Sequence, residues 1–180
     1  MGAACLSYYF EICATETYQA KYLDYLLGHY ADLGLPYPFT VALSYIASPV
    51  LIGNEAILAF NADDELVGAV GYIHGTGDHD YADTEIVQIQ IVYIDETCRC
   101  TRLFLRGLQF LAQHLRDLDQ HVAEIRFWTA ASSTHRSLFG KLAERASVTN
   151  HPAYGQLDEY RVSLPALLAF TGMDDRGRTD

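Results

Sequence analysis

Three arginines, Arg99, Arg102 and Arg106, stand directly behind a segment that reads as a β-strand, TEIVQIQIVYI from Thr84 to Ile94. The chemistry such a group does is anion binding. Guanidinium forks match phosphate geometry, and the free N–H groups of a helix that begins after a strand point at the same place. Cations at a helix N-terminus oppose its dipole by about 0.3–1 kcal/mol each, so a counter-anion accounts for the cluster. Two other groups have reactive side chains. His74, Asp78, His79, Asp80 and Asp83 offer nitrogen and oxygen ligands, yet they fit no metal-site spacing, and a solvated loop explains them; no metal is expected. Cys98 and Cys100 flank Arg99, which would lower a thiol pKa, but no histidine partner is identifiable from spacing and no CxxC pair is present.

Around that turn the elements are legible. The run from Thr84 alternates Glu85, Val87, Ile89 and Ile91 against Ile86, Gln88, Gln90 and Val92, the pattern of a strand buried on at least one face. After the arginines, Phe104, Leu108, Leu111 and Leu115 recur at helical spacing. Upstream, Leu6–Cys13 reads as a strand and a helix begins near Thr15. A second helix is expected over Thr40–Ala47, ended by Pro49. Strands at Ala56–Phe60 and Leu66–Ile73 are joined by the acidic turn NADDE. Downstream follow a strand over Glu124–Thr129, a helix over Ser133–Ala146 and a strand over Tyr160–Leu164. The expectation is one domain over residues 1–170 with a polar tail, 171–180.

Charge divides the chain unevenly. Residues 1–98 hold one basic residue, Lys21, and fourteen acidic ones, whereas residues 99–180 hold eleven basic and nine acidic. A net charge of −11 argues against nucleic acid, because phosphate neutralisation needs a basic surface that the first half lacks. An acidic half suits a cationic substrate, although acids that only solvate the surface would look the same. No apolar run reaches the ~18 residues that span a membrane, and the start lacks the pattern of a signal peptide. A cytoplasmic location and no membrane partner are therefore expected, and a homodimer is left open.

The element order β-α-α-β-β-β-α-β-α-β, over residues 5–165, resembles the GNAT superfamily of acyl-CoA-dependent N-acyltransferases. The resemblance implies an α/β fold of the α+β type, with a mixed, mostly antiparallel central sheet, helices on both faces and residues 86–94 as the central strand. In that family an Arg or Gln opens a turn, R-x-x-G-x-G/A, whose backbone N–H groups bind the CoA pyrophosphate. Here IVYIDETCRCTRLFLRGLQFL puts Arg99 at the opening position and Arg102 and Phe104 where the two small residues belong. The implied co-substrate is acetyl-CoA or another acyl-CoA, held by Arg99, Arg102 and the backbone around Cys100 and Thr101. Two outcomes follow from the departure. Arginine forks replace part of the backbone cradle, or side chains block the phosphate and the fold persists as a catalytically degenerate binding or regulatory protein.

The same resemblance assigns further roles. Glu85 is the candidate base, because EIV fourteen residues before Arg99 is similar to the glutamate of the histone-acetylating branch, at a spacing one residue longer. The oxyanion donor would be a backbone N–H near Tyr93 or Ile94. Tyr37 and Phe39, bracketing Pro38, are substrate candidates in a loop that lies over the acceptor side of the fold. SSTHRSLFGKLAERA is similar to the family's N-x-x-x-x-L-Y-x-K-x-G-F region, with Phe139 in the place of a proton-donating tyrosine. Phenylalanine has no proton to donate. The implied reaction is acyl transfer, most simply acetyl transfer, to a small-molecule amine or a peptide amine.

Overall fold

The computed structural model describes residues 7–53, 55–99 and 101–173. Its elements are β1 (Tyr8–Ile12), α1 (Glu16–Gly28), α2 (Phe39–Ile52), β2 (Ala56–Asn61), β3 (Leu66–His74), β4 (Ile86–Ile94), α3 (Leu103–Asp117), β5 (Glu124–Ala130), α4 (Ser133–Phe139), β6 (Glu144–His151), β7 (Gly155–Ser163) and α5 (Leu164–Phe170), with short 3-10 turns between them. The strands follow the hydrogen-bonded order β1-β2-β3-β4-β5-β7-β6, which puts β4 at the centre as expected. The pairs β1–β2, β2–β3, β5–β7 and β6–β7 are antiparallel, and β4–β5 is parallel. No described helix is long and apolar enough to cross a membrane.

The chain forms two compact units. One holds the residues through Gly34, Pro38–Ile73 and Gln90–Gly107; the other holds Leu35–Tyr37, His74–Ile89 and Leu108 onward. In the first, α1 starts at Thr15, whose hydroxyl accepts from Tyr18 N, and Glu16 favours the positive end of the helix. It packs on α2 and β2, with Tyr22 and Leu26 fully buried. The expected stop of α2 at Pro49 is corrected: the helix runs on to Ile52 with Pro49 inside it. An interior proline costs ~3 kcal/mol, but this ring is buried against β3. A Cβ at Gly71 would lie 2.6 Å from Pro49 Cγ and 2.1 Å from the Tyr22 hydroxyl, so glycine is what lets both helices approach. The β2–β3 hairpin is set by Asn61, whose Oδ1 accepts from Asp63 N and Glu65 N, with Asp64 in the left-handed region.

The second unit differs more from expectation. The helix proposed over Ser133–Ala146 stops at Phe139, where Gly140 N donates to Arg136 O; the chain then turns into β6. Every residue of β6 is exposed, so it carries no alternation by which sequence could reveal it. The last strand begins at Gly155 rather than Tyr160, because the hairpin with β6 turns there with Gly155 at φ +75. A fifth helix, absent from the expected order, follows with Ser163 as its cap and Pro165 in its first turn.

Candidate functional site

β4 is unevenly buried. Val87, Ile91 and Tyr93 are buried, whereas Val92 on the opposite face is 50% exposed although its strand is the fourth of seven. Its parallel ladder with β5 runs only from Ile86↔Glu124 to Gln88↔Arg126 among the described residues. On the other side, Gly75 N donates to Ile86 O and Asp95 N to Val67 O. Nine steps of β4 therefore face eight of β3, which is a bulge in the central strand. Beyond the bulge the odd residues face β3: a Cβ on Gly68 would lie 3.2 Å from Tyr93 O. The peptide groups of Val92 and Ile94 point the other way. Of the two residues expected to offer an oxyanion N–H, Ile94 thus has the one directed away from β3, and Tyr93 contributes its ring.

The turn after β4 is built by short polar contacts. Asp95 Oδ1 accepts from the N–H and hydroxyl of Thr97, and these bonds hold its carboxyl below the usual range. Cys98 is buried with Ala59, Val67 and Leu103, which removes it as a nucleophile. Thr101 accepts from the Tyr8 hydroxyl at 2.8 Å and from Leu103 N at 3.2 Å, and donates to Cys98 O at 2.6 Å. It therefore caps the first N–H of α3. Arg106 N reaches Arg102 O, so the N–H groups of Leu103, Phe104 and Leu105 have no acceptor within the helix, and Thr101 serves the first of them. Arg99 and Arg102 are exposed. Arg99 Nε donates to Ile94 O at 3.1 Å and its guanidinium lies 5.7 Å from the Tyr93 ring centre. Among the described residues neither arginine is in an ion pair. Cys100 lies outside the described residues.

A cluster not foreseen from sequence adjoins Arg99. The rings of Tyr25 and His29, one helical turn apart at the end of α1, lie 5.6 and 4.8 Å from the Tyr93 ring. His29 Nδ1 lies 2.8 Å from Tyr25 O, and a carbonyl only accepts, so Nδ1 carries the proton and Nε2 the lone pair. Burial pushes both phenols upward, and the carboxylates of Asp32 and Asp95 add to this at Tyr93. The usable signal was the i, i+4 spacing of Tyr25 and His29, which places them on one helix face.

The remaining candidates stand elsewhere. Glu85 is an exposed residue in the turn before β4, and its carbonyl accepts from Ala123 N and Glu124 N. It precedes the first residue of β4, whereas Ile94 is the last. Tyr37 packs edge-on to Tyr154, which stacks on His151 in the β6–β7 turn. Phe39 instead packs against Tyr30 and is 55% exposed. Phe139 is half-buried among Phe127, Tyr160 and His135. The loop after β3 is internally bonded, with Asp83 accepting from Thr76 and lying 3.3 Å from His79.

No family model matches the sequence, and no curated protein matches it by sequence. Solved structures do match. An acetyltransferase of the GNAT family from Staphylococcus aureus is similar at a TM-score of 0.63 and 12% identity, covering 88% of this chain and 99% of that one. The chain has the GNAT fold. A NatC complex bound to Gag peptide and CoA is similar at a TM-score of 0.60 and 13% identity, over 88% of this chain and 99% of the other. A spermidine N-acetyltransferase chimera from Vibrio cholerae gives 0.59 at 12% identity, over 89% and 98%. In the GNAT fold of this chain, the turn with Arg99 and Arg102 joins the central strand to α3.

Proposed function

We propose that this protein is an N-acyltransferase that moves an acyl group, acetyl in the simplest case, from acyl-CoA to a small cationic amine or an amino terminus. The observation that carries the reading is the arginine turn after β4, where among the described residues the exposed Arg99 and Arg102 are in no ion pair and the Phe104 and Leu105 N–H groups open α3. These donors suit a pyrophosphate, and the amides of a pantetheine chain suit a strand edge. Among the neighbouring folds, a NatC complex bound to Gag peptide and CoA and a spermidine N-acetyltransferase belong to the same chemistry. The acidic first half, with fourteen acids against one lysine, supports a cationic acceptor.

In this reading a neutral amine attacks the thioester carbonyl while the oxygen takes charge against the Ile94 N–H. Glu85 as base requires the thioester to lie at the start of β4; Ile94 as oxyanion donor requires it at the end. Phe139 supplies no proton, so the thiolate takes one from water or from the protonated base.

Titration calorimetry with acetyl-CoA and free CoA is the decisive measurement. Micromolar binding of both, followed by acetylation of a polyamine or a peptide N-terminus, is the expected result. No heat and no thermal shift at millimolar ligand would leave a degenerate GNAT-fold binding protein as the better account.

A further inference from the structure

We infer that His29 is the proton acceptor for the attacking amine, an assignment that rests on the acyltransferase reading above. Four features of the first unit carry it. Nδ1 is committed to Tyr25 O at 2.8 Å, which fixes the tautomer and leaves Nε2 as the basic atom. The ring is half-buried and held between Tyr25, 4.6 Å away, and Tyr93, 4.8 Å away, so its orientation is set by packing. The cluster sits at the end of β4 that holds the Ile94 N–H and Arg99, whereas Glu85 is the full length of the strand away. Finally, Asp95, the residue that follows β4, interacts electrostatically with His29, which puts a carboxylate in the same cluster.

The step balances as follows. The amine lone pair forms the C–N bond and the carbonyl electrons move onto oxygen at the Ile94 N–H. Collapse restores the carbonyl and breaks C–S, with the electron pair leaving on the thiolate sulfur. The proton lost by nitrogen goes to His29 Nε2 and passes from there to the thiolate, giving amide and free thiol. The groups that face His29 are the phenols of Tyr25 and Tyr93, the carboxylate of Asp95, and, around Tyr93, Asp32 and Arg99.

The test uses His29→Asn, whose amide nitrogen keeps a donor for Tyr25 O while removing Nε2, beside His29→Gln and Glu85→Gln. Wild type is first assayed with acetyl-CoA and a panel of amines; a panel without any turnover overturns the acyltransferase reading and this assignment with it. In an active enzyme, His29→Asn should lower kcat about 10²- to 10⁴-fold at neutral pH, with the loss shrinking as pH rises, while acetyl-CoA affinity and melting temperature stay at wild-type values. The wild-type rate should fall as acid protonates Nε2, and that limb should vanish in the variant. Nitrogen-15 imidazole spectra should show the proton on Nδ1. His29→Asn within threefold of wild type at every pH, a loss independent of pH, or a larger loss in Glu85→Gln would overturn the assignment while leaving the acyltransferase reading in place.

Discussion

Three arginines of the second unit and two of the first are used in opposite ways. In the second unit Arg126 and Glu124, Arg136 and Asp158, and Arg161 and Glu159 form ion pairs, the last two between 2.7 and 2.8 Å. Asp158 is fully buried in β7 and takes both Nε and an NH2 of Arg136, the geometry of a bidentate clamp. In the first unit Arg99 touches a backbone carbonyl and an aromatic ring, Arg102 stands exposed, and among the described residues no carboxylate closes on either. Residue type alone does not separate these roles. A paired guanidinium is spent on holding α4 to β7, whereas an unpaired one beside a helix N-terminus has its charge available to a ligand.

Replacing both turn arginines is the change with the largest expected effect. Each charge-assisted hydrogen bond is worth about 1.5–3 kcal/mol, so Arg99→Ala with Arg102→Ala should weaken acyl-CoA binding by at least about 100-fold. Melting temperature should hardly move, since surface substitutions usually fall within ~0.5 kcal/mol. Calorimetry beside a thermal scan checks both. A large fall in melting temperature with unchanged binding would erase the contrast between the units.

Arg136→Met should do the reverse, lowering melting temperature at pH 7 without altering acyl-CoA affinity. The guanidinium holds the Asp158 carboxyl below its ordinary value. Its stabilisation is therefore complete above the unfolded carboxylate pKa near ~4 and is lost as pH falls through the lowered folded value. The gap between wild type and variant should narrow in that acidic window, because a protonated Asp158 no longer needs the cation. A gap that is flat from pH 7 down to pH 3 would mean that Arg136 acts through packing alone.

Much of this contrast was legible in the sequence, though unevenly. Alternation in TEIVQIQIVYI and the helical repeat after Leu103 located the strand–turn–helix and Arg99 within it, because both rest on burial patterns with a period. β6 escaped for the opposite reason: its residues are uniformly exposed and its existence depends on pairing with β7. Pro49 misled because a local rule was overridden by a tertiary contact, the space above Gly71. At the site, sequence named the arginines but not His29 and Tyr25, since the proximity of α1 to the end of β4 is a product of the fold. Ion pairing is equally invisible, so Arg136 and Arg99 look alike until Asp158 is seen facing one of them.

Thr101→Val should have a smaller effect, confined to stability. The hydroxyl caps Leu103 N and bonds Tyr8 and Cys98, so its loss should cost on the order of 1 kcal/mol while leaving Arg99 in place. Denaturant unfolding measures this. A loss of acyl-CoA binding without loss of stability would instead show that Thr101 belongs to the ligand site.

The smallest expected change is at Phe104, and its sign is what matters. Phe104 stands on the first turn of α3, half-buried, with its N–H among those lacking an intrahelical acceptor. If the ring restricts how closely phosphate oxygens approach that N–H, Phe104→Ala should tighten acyl-CoA binding a few-fold. Alanine is chosen over glycine because it keeps helix propensity, which glycine would reduce by ~1 kcal/mol. Truncating a half-buried ring lowers stability somewhat, so affinity has to be read well below the melting temperature. Tighter binding in Phe104→Ala, lost again when Arg99→Ala is added, would mean that helix amides and the arginine fork grip one anion. Weaker binding would make the ring part of the contact surface, with the guanidinium groups carrying the charge recognition on their own.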